Sequence, residues 1–401
     1  MVYKFCSYID QVLEADYVND FVDLVALGII ADVMKLTDFE TKQLVNMGIQ
    51  NIVNPFFRSM TIKNEFSLKG NITPFGVAFY IAPYINATTR CGSSEEKLLL
   101  FESMLDFKAY EMIPSTKRGF KGQLETRVEQ ACRNCVNIKN RQNRVRDNNL
   151  SIIENIITSQ NLLKNQIIII CLDSEHAIDK NLTGLVATKI ASEYQKPTLV
   201  LNESIQEDGS ILWTGSGRIF AQSAFTTFRS FLDESGYVEM AQGHEGAFGV
   251  AIKNEKLKNF IEYSNKELAN FDFTPKYYLD FIYDANYLMP QDIFNIANYD
   301  GLWGQGIEEP FVLVKNIKIN KDNITLLKET TLKITLMIDG QYISLIKFGS
   351  SQEEFDNLYS EQGYITIDIV GKFQKNIWND KISPQIQIED YEIVNKSNYY
   401  F

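Results

Sequence analysis

The stretch that decides the fold is residues 166–201, QIIIICLDSEHAIDKNLTGLVATKIASEYQKPTLVL. An apolar strand pattern covers 167–171, a helical pattern follows over 182–194, and a second strand runs from Pro197 to Leu201. A strand, a helix and a strand at this spacing predict a βαβ unit with a right-handed crossover. The sequence therefore predicts an α/β domain over residues 166–270.

Two glycine-bearing segments in this domain are candidate anion sites. In Gly215-Ser216-Gly217-Arg218, the glycines permit close backbone approach to an anion that Arg218 could clamp. The tetrapeptide alone equally predicts a tight hairpin turn. Gly243-His244 follows Gln242 and holds one of the two histidines of the chain. A phosphate contact and a structural role are equally favoured for His244.

The N-terminal region, residues 1–115, reads as the later part of a domain. Helical periodicity covers 2–13 with no strand or cap before it, which predicts that a domain begins in its middle. The apolar run 21–30 predicts a buried strand or helix that ends at Asp32. A carboxylate there suits a ligand site, but capping of the next helix is the favoured interpretation for a lone Asp.

Asn86 and Arg90 are a second candidate pair in the N-terminal region. They lie four residues apart after Pro83, which suits the first turn of a helix. At this spacing they share one helix face and could hold a phosphate or carboxylate together. Capping and solvation of the helix are equally favoured.

Residues 117–146 form a basic stretch, with nine Lys and Arg against two Glu. Val128, Ala131, Cys132, Cys135 and Ile138 recur at helical spacing, so we expect a connecting helix over 116–165 with the basic side chains on its exposed flanks. Such one-sided charge in an acidic protein favours a polyanionic partner, although a solvated helix face is the usual meaning. The lone Cys-x-x-Cys pair does not predict zinc.

The C-terminal region changes to short alternating strands. After a linker over 271–306, alternation at 332–338, a turn at Asp339-Gly340 and further strands to Val394 predict a small barrel over 307–401, with an OB-fold the leading candidate. Phe373 and Trp378 are candidate platforms for base stacking, although core packing is favoured for each alone.

Composition limits the class of protein. The 401 residues carry a formal net charge of −12, which argues against a uniformly basic coat for nucleic acid, and two histidines argue against a histidine-rich metal centre. Five cysteines, an odd number at irregular spacing, predict a reducing compartment, with the cytoplasm the default. We expect no signal peptide, no transmembrane helix and no membrane partner.

Together these motifs resemble RecJ, the single-strand-specific DNA exonuclease of the DHH phosphoesterase superfamily. Residues 23–32, DLVALGIIAD, resemble its fourth motif, in which Asp32 matches a metal ligand. Asn86 and Arg90 match a segment rich in Asn, Ala and Arg, and Tyr84 stands where Arg is common. Residues 215–218 match GSGR, and 242–244 match GGH with Gln242 for the first glycine.

The resemblance implies an α/β architecture: a partial DHH domain over 1–115, the connecting helix, a DHHA1 substrate-binding domain over 166–270 and an OB-fold. It also implies 5′→3′ digestion of single-stranded DNA in repair and recombination with Mn²⁺ or Mg²⁺. Asp32 would be catalytic and bind metal. The substrate-binding residues would be Asn86, Arg90, Gly215, Ser216, Gly217, Arg218, Gly243 and His244.

The departures from the family pattern leave two hypotheses. The chain has no Asp-x-Asp and no His-His, the motifs that supply the other metal ligands, so two ions would lack most of their donors. In the first hypothesis, the chain belongs to a RecJ-like exonuclease whose N-terminal half, with the missing DHH motifs, is a separate polypeptide or was lost from the gene model, and hydrolysis needs that half. In the second, the chain is a non-catalytic module that binds single-stranded nucleic acid.

Overall fold

The computed structural model describes residues 1–68, 70–120, 122–378 and 381–397. Two compact units divide the chain: the first comprises residues 1–136 and 277–401, and the second comprises residues 137–276. The division falls inside a long helix. The domain boundaries predicted from the sequence stay predictions.

The N-terminal part of the first unit is helical. Its core contains Phe56, Phe57 and Met60. The run 21–30 forms a helix rather than a strand, and that helix is apolar on nearly every side because neighbouring helices surround it. The helices are α1 (Val2–Leu13), α2 (Val22–Ala31), α3 (Phe39–Gln50), α4 (Pro55–Lys63), α5 (Glu65–Leu68), α6 (Pro74–Tyr80), α7 (Ala82–Cys91), α8 (Ser94–Ser103) and α9 (Asp106–Ala109).

A short hairpin and a long helix follow. Strands β1 (Met112–Pro114) and β2 (Leu124–Thr126) pair antiparallel, and α10 spans Arg127–Ser159. The predicted helical stripe is confirmed, since Val128, Ala131, Cys132, Cys135 and Ile138 are all buried. The expectation that the whole basic stretch is helical is wrong, because Lys117 and Arg118 lie in the loop between β1 and β2. Lys121 lies outside the described residues.

The second unit contains the predicted βαβ unit. Strands β3 and β4 pair in parallel, as the crossover through α11 requires. The strand order in the described residues is β3-β4-β5-β7-β6, and every pairing after the first is antiparallel. The elements are β3 (Ile168–Leu172), α11 (Lys180–Tyr194), β4 (Thr198–Ile205), β5 (Ile211–Arg218), α12 (Phe228–Glu234), β6 (Met240–His244), β7 (Ala247–Lys253) and α13 (Asn254–Glu267).

The two faces of this sheet have different cores. On one face, α11 packs Val186 and Ile190 against Ile168, Ile170 and Val200. On the other face, side chains of the alternate strand positions join an aromatic cluster that contains Phe228, Phe248 and Phe260. Because side chains alternate between faces along a strand, the register assigns every residue of β5, β6 and β7 to one of these two sides.

The C-terminal part of the first unit is a curved sheet. Its order in the described residues is β10-β11-β12-β14-β13-β9-β8, and irregularities in β13 at 366/367 and 370/371 bend that strand. Part of the predicted linker, 271–306, forms β8 and α14, and the core of the sheet includes Ile293 and Ile296 of α14, with Tyr283 of β8 packed against it. The elements are β8 (Phe281–Asp284), α14 (Pro290–Ala297), β9 (Val312–Ile319), β10 (Ile324–Leu327), β11 (Thr331–Ile338), β12 (Gln341–Phe348), α15 (Gln352–Leu358), β13 (Tyr364–Trp378) and β14 (Lys381–Ser397).

The predicted turn and strands of this region are confirmed. Asp339 and Gly340 both have positive φ, 47° and 71°, as a two-residue type I′ hairpin between β11 and β12 requires. In the part of the chain that the structure describes, three short 3₁₀ helices are also present, at Val18–Phe21, Leu162–Lys164 and Asp300–Leu302. Within the described ranges, no helix is long and apolar enough to cross a membrane.

Candidate functional site

The two glycine-bearing segments meet on one side of the second-unit sheet. Strand β7 lies between β5 and β6, and Ala247 pairs with Arg218 on one side and with His244 on the other. Directly paired residues project from the same face of an antiparallel sheet. We call this surface the open face. Its residues are Ser216, Arg218, Gln242, His244, Ala247 and Gly249.

The open face lies beside α11. That helix covers the sheet as far as β5, while Gln242 and His244 on β6 are exposed. Between these edges the residues of β7 are small: Ala247, and Gly249, where an added Cβ would meet nothing closer than 3.8 Å. The open face therefore carries polar side chains on β5 and β6 and small residues on β7 between them.

Arg218 lies on the α11 side of the open face and is half-buried. Its Nη1 donates to the carbonyl oxygens of Gly217, at 2.6 Å, and Phe248, at 3.4 Å. The other side of the guanidinium lies against Gly184 of α11, where an added Cβ would be 2.5 Å from Nη2. Ser216 Oγ lies 2.9 Å from Thr183 Oγ1 of the same helix. The sheet and the helix thus position both polar groups.

Three of the glycines are required by geometry. An added Cβ at Gly215 would lie 2.0 Å from the Val200 carbonyl oxygen. An added Cβ at Gly217 would lie 2.4 Å from the Phe248 ring, which packs over this position on the aromatic side of the sheet. Gly243 has φ 136°, and its added Cβ would lie 2.7 Å from the Ala247 carbonyl oxygen. The alternative that residues 215–218 form a hairpin turn is wrong, since they lie inside β5 and are paired on both sides.

The contacts of Glu245 hold the turn that carries His244 in place. Glu245 accepts hydrogen bonds from the Ser230 backbone N–H at 3.0 Å and hydroxyl at 2.7 Å, and it pairs with Arg229 at 2.7 Å. The Ser230 hydrogen bonds, with Arg229, hold the pKa of the Glu245 carboxyl below its usual value. His244 therefore projects from a fixed turn while its own side chain stays exposed.

Asp32 is the C-terminal cap of α2 and is exposed. The interpretation that it caps the next helix is wrong, because Asp38 caps α3 by accepting from the Thr41 N–H at 3.0 Å. A carboxylate at the negative end of a helix dipole is unfavourable. Neither the position nor the charge of Asp32 therefore stabilises α2.

The backbone next to Asp32 is strained. Val33 has φ 56°, and its N–H and that of Met34 bond to the carbonyls of Ile30 and Ile29, the pattern of a Schellman motif. Glycine is the usual residue at this left-handed position, and a β-branched side chain there is unfavourable. Strain of this kind is often found beside functional groups.

The loop after Asp32 is held by part of the predicted linker. The Leu36 N–H donates to the Gln305 carbonyl at 2.7 Å, and Lys42 Nζ donates to the Leu302 carbonyl at 2.6 Å. Gly304 permits this contact, since an added Cβ would lie 2.5 Å from Leu36 Cδ1. Residues 302–305 therefore restrict how far the Asp32 loop can move within the first unit.

The donor set around Asp32 does not fit a pair of metal ions. Among the described residues, no group of three or more His, Cys, Asp or Glu side chains is placed to hold a metal. Each ion of a two-metal site needs several oxygen or nitrogen ligands. Asp32 could supply one of them. We therefore derive no hydrolytic step for these residues alone.

Asn86 and Arg90 lie on α7, as the spacing predicted, with Pro83 in its first turn. Asn86 is half-buried and Arg90 is exposed. Thr88, on roughly the opposite side of the helix, is buried and hydrogen-bonds Cys135. The pair therefore points away from the packed side of α7. Helix α7 packs against α2 in the first unit. The first unit thus contains three predicted site residues, Asp32, Asn86 and Arg90, and the second unit contains the other six.

The basic stretch presents less free charge than its composition indicates. Arg127 pairs with Glu102 and Glu111, and Arg133 pairs with Glu125, so these two arginines are neutralised within the first unit. In the second unit, Arg146 pairs with Asp147. Arg141 and Arg144 are exposed on α10. A polyanion would therefore meet fewer positive charges than the sequence count suggests.

The cysteine pair on α10 belongs to the core of the first unit. Cys132 and Cys135 are buried, and burial raises the pKa of their thiols to about 12 and about 11. None of the five cysteines, all of which lie in the described residues, forms a disulfide.

The two candidate stacking residues of the C-terminal sheet differ. Phe373 is buried in the core of the sheet and cannot stack on a base. Trp378 is 59% exposed and meets Phe66 edge-to-face, with ring centroids 6.0 Å apart. Of the two, Trp378 alone keeps a face accessible to a base.

Sequence reasoning missed the residues that position the site. Thr183 and Gly184 contact Ser216 and Arg218 from α11, and Arg229 anchors the turn of His244. For Gly184, the available signal was a glycine inside a helical pattern. A glycine weakens a helix, so its presence there indicates that a neighbouring group occupies the space a side chain would fill. No local pattern marks Arg229.

Comparison with known proteins agrees with these observations. A protein-family model described as RecJ OB domain matches residues 280–390. A SPbeta prophage-derived protein of Bacillus subtilis strain 168, named single-strand DNA-specific exonuclease YorK, is 33% identical over 399 residues, which are 98% of this chain and 68% of that protein. The single-stranded-DNA-specific exonuclease RecJ of the same strain is 24% identical, and the alignment covers 93% of this chain and 44% of that protein.

Solved structures show the same fold. RecJ from Thermus thermophilus, in complex with Mn²⁺, matches with a TM-score of 0.65 at 19% identity, covering 97% of this chain and 52% of that chain. The RecJ structure with Mg²⁺ from the same organism has a TM-score of 0.63. This chain thus spans about half the length of the solved RecJ chains.

These relatives define a class of nucleases that act on single-stranded DNA. The chain belongs to the RecJ-like family of single-strand-DNA-specific exonucleases. The predicted resemblance is therefore confirmed, as is the α/β fold class with an OB domain at its C-terminal end.

Proposed function

We propose that this chain is the part of a RecJ-like exonuclease that binds single-stranded DNA, and that the open face holds a phosphate of the bound strand. The convergence of Arg218 and His244 on one face supports this proposal. They stand on two strands that flank β7, so their Cα atoms are about 10 Å apart, and a phosphate over Ala247 would lie within reach of both. The names of the relatives support single-stranded DNA as the ligand.

Each unit would make further contacts with single-stranded DNA. In the second unit, the exposed arginines of α10 would add sequence-independent attraction. In the first unit, Asn86 and Arg90 would contact the strand and Trp378 would stack on a base. Digestion in the 5′→3′ direction, a role in DNA repair and recombination, and action in the cytoplasm come from the family resemblance and form part of the proposal.

The binding test compares Arg218→Ala with the wild type by fluorescence anisotropy on a labelled single-stranded oligonucleotide. Loss of a charged phosphate contact, about 1.5–3 kcal/mol, should weaken affinity about 10- to 100-fold. Lys189→Ala is the matched control, because it removes one positive charge from the exposed surface of α11 in the same unit. Equal effects of both substitutions, or no effect of Arg218→Ala at low salt, would contradict the assigned role.

For catalysis, we propose that Asp32 is one ligand of a Mn²⁺ or Mg²⁺ site whose other donors come from a polypeptide with the missing motifs. The chain with Mn²⁺ should then leave single-stranded DNA intact, and addition of that polypeptide should produce degradation that Asp32→Asn abolishes. Oligonucleotides blocked at either end report the direction. Degradation by the chain alone would overturn this account.

A second function is binding without cleavage. It is favoured by one observation, that the described residues contain no group of three metal donors around Asp32. In this case neither preparation degrades DNA, yet the Arg218 dependence of binding persists.

A further inference from the structure

Gln242 and Ser216 face each other across the middle of the open face. Gly249 of β7 pairs directly with Gln242 on one side and with Ser216 on the other, and directly paired residues project from one face of a sheet. The Gln242 side chain is exposed, and no hydrogen bond joins its carboxamide to another residue of the part of the chain that the structure describes. That carboxamide is therefore available to a ligand.

Gly249 leaves space between these two polar side chains. An added Cβ there would meet no atom closer than 3.8 Å, and Met240 Cε would lie 3.9 Å from it. Met240 stands two residues before Gln242 on β6 and is 38% exposed. A group lying over Gly249 would thus contact an apolar methyl group and would have a neutral polar side chain at each of two edges.

This combination suits a nucleobase better than a second phosphate. Phosphate contacts in proteins commonly come from cationic side chains, and Gln242, Ser216 and Met240 carry no charge. A base instead has an aromatic face, against which a methionine thioether packs favourably, and a polar edge. The carboxamide of a glutamine both donates and accepts hydrogen bonds, as such an edge requires.

We infer that a nucleobase of the bound strand lies over Gly249 and that Gln242 hydrogen-bonds its edge, with a preference for adenine. The inference rests on the proposed function, because the phosphate over Ala247 sets the position of the nucleotide. Ala247 and Gly249 are two residues apart on β7, about 6.8 Å, a distance that the sugar between a phosphate and its base can span.

Adenine is the expected base because a glutamine carboxamide forms two hydrogen bonds with its N6 and N7 atoms. In a single strand this edge is open to the protein. The family motif has glycine where this chain has Gln242, so it offers no such carboxamide. The adenine contact would therefore be a departure from the family pattern, made by a residue that the sequence comparison alone marks as a mismatch.

The test measures affinity by fluorescence anisotropy for three single strands of equal length: oligodeoxyadenylate, oligothymidylate and an oligomer of abasic sites. Gln242→Leu should weaken binding of oligodeoxyadenylate about fivefold, the lower end of the discrimination that a bidentate base contact provides. Binding of oligothymidylate should change less than twofold, and binding of the abasic oligomer should not change. Comparing two proteins on the same strand removes the effect of base stacking within that strand.

A second variant tests the space over Gly249. Gly249→Ala adds a methyl group that has no close contact within the protein, so the melting temperature should hold or rise. The methyl group would displace the base, and affinity for oligodeoxyadenylate should fall about threefold while the abasic oligomer binds as before. Gln160→Leu is the matched control for Gln242→Leu, because it makes the same substitution at an exposed position of the second unit outside the sheet. It should alter no affinity.

Arg218→Ala separates this inference from the proposed function. It should weaken binding of all three strands, including the abasic oligomer, because it removes a phosphate contact. If it does so while Gln242→Leu leaves oligodeoxyadenylate binding unchanged, the base contact is overturned and the proposed function stands. Equal weakening of all three strands by Gln242→Leu would assign Gln242 to the DNA backbone and would also overturn the inference. If Arg218→Ala has no effect, the phosphate contact fails, and with it the placement of the base.

Discussion

The open face and the C-terminal end of α2 are the two candidate functional regions, and they are built in opposite ways. On the open face, three strands and α11 each contribute, and backbone pairing sets where Arg218 and His244 stand. At the end of α2, Asp32 is one exposed carboxylate without other metal donors grouped around it among the described residues. Strand pairing thus fixes the candidate binding surface within this chain, whereas the metal site proposed at Asp32 needs further ligands.

The same contrast appears between the two ends of α2. Asp23, in the first turn, is 2% exposed and accepts from three backbone N–H groups, those of Leu24, Val53 and Asn54, at 2.7, 2.9 and 2.7 Å. It also lies at the end where a helix dipole favours negative charge. Asp32 has neither advantage. Asp23 is therefore structural, and Asp32 is available for ligand binding.

The largest predicted effect is on Asp23. Asp23→Asn would place an amide where a buried carboxylate accepts from three donors, and we expect the free energy of unfolding to fall by about 3 kcal/mol. Asp32→Asn should change it by less than about 0.5 kcal/mol, as for other surface positions. Urea denaturation measures both. Comparable losses would show that the two ends of α2 do not differ in role.

The second prediction separates stability from binding on the open face. Gly184→Ala would displace the Arg218 guanidinium, because the new Cβ would lie 2.5 Å from Nη2. Affinity for single-stranded DNA should fall about tenfold, because one charged hydrogen bond to the DNA would be weakened. Stability should hold or rise, since alanine is favoured in helices by about 1 kcal/mol.

The control for this prediction is Ser192→Ala, which improves helix propensity at an exposed position of α11. It should leave DNA affinity unchanged. If Gly184→Ala binds as tightly as the control, the contact with α11 does not position Arg218.

The third prediction concerns the strain beside Asp32. Val33→Gly should stabilise the protein by about 1 kcal/mol, because glycine adopts the left-handed conformation without the penalty of a β-branched side chain. Thermal unfolding should rise by a few degrees. Val33→Ala, which keeps a Cβ, should gain less. A lower melting temperature for the glycine variant would mean that the Val33 side chain compensates for its backbone.

The smallest predicted effect is the pH dependence of the His244 turn. Hydrogen bonds lower the folded-state pKa of Glu245 below its unfolded value of about 4.5, so its stabilising effect is present above that pH and is lost as pH falls through the folded-state pKa. The melting-temperature difference between wild type and Glu245→Gln should therefore be greatest near neutral pH and vanish in acid. A difference that persists after both carboxyl pKa values have been passed in acid would indicate another cause.

Local patterns predicted much of the fold. The βαβ unit, the helix bearing Asn86 and Arg90, and the strands of the C-terminal sheet follow from periodicity and turn residues, which depend on neighbours in sequence. Residues 21–30 could be either strand or helix, since an element buried on all sides has no periodicity to distinguish them. Residues 215–218 were ambiguous for a similar reason, because glycine suits both a turn and a strand beneath an aromatic ring.

The sequence by itself determined the family motifs, their order and the types of side chain available for phosphate and metal. Only the tertiary structure decided that Arg218 and His244 share one face, that Asp38 rather than Asp32 caps α3, and that the apolar side of α1 points outward. Strand pairing and helix packing bring together residues distant in sequence. A periodic pattern predicts that a face exists, but the surrounding elements decide what covers it.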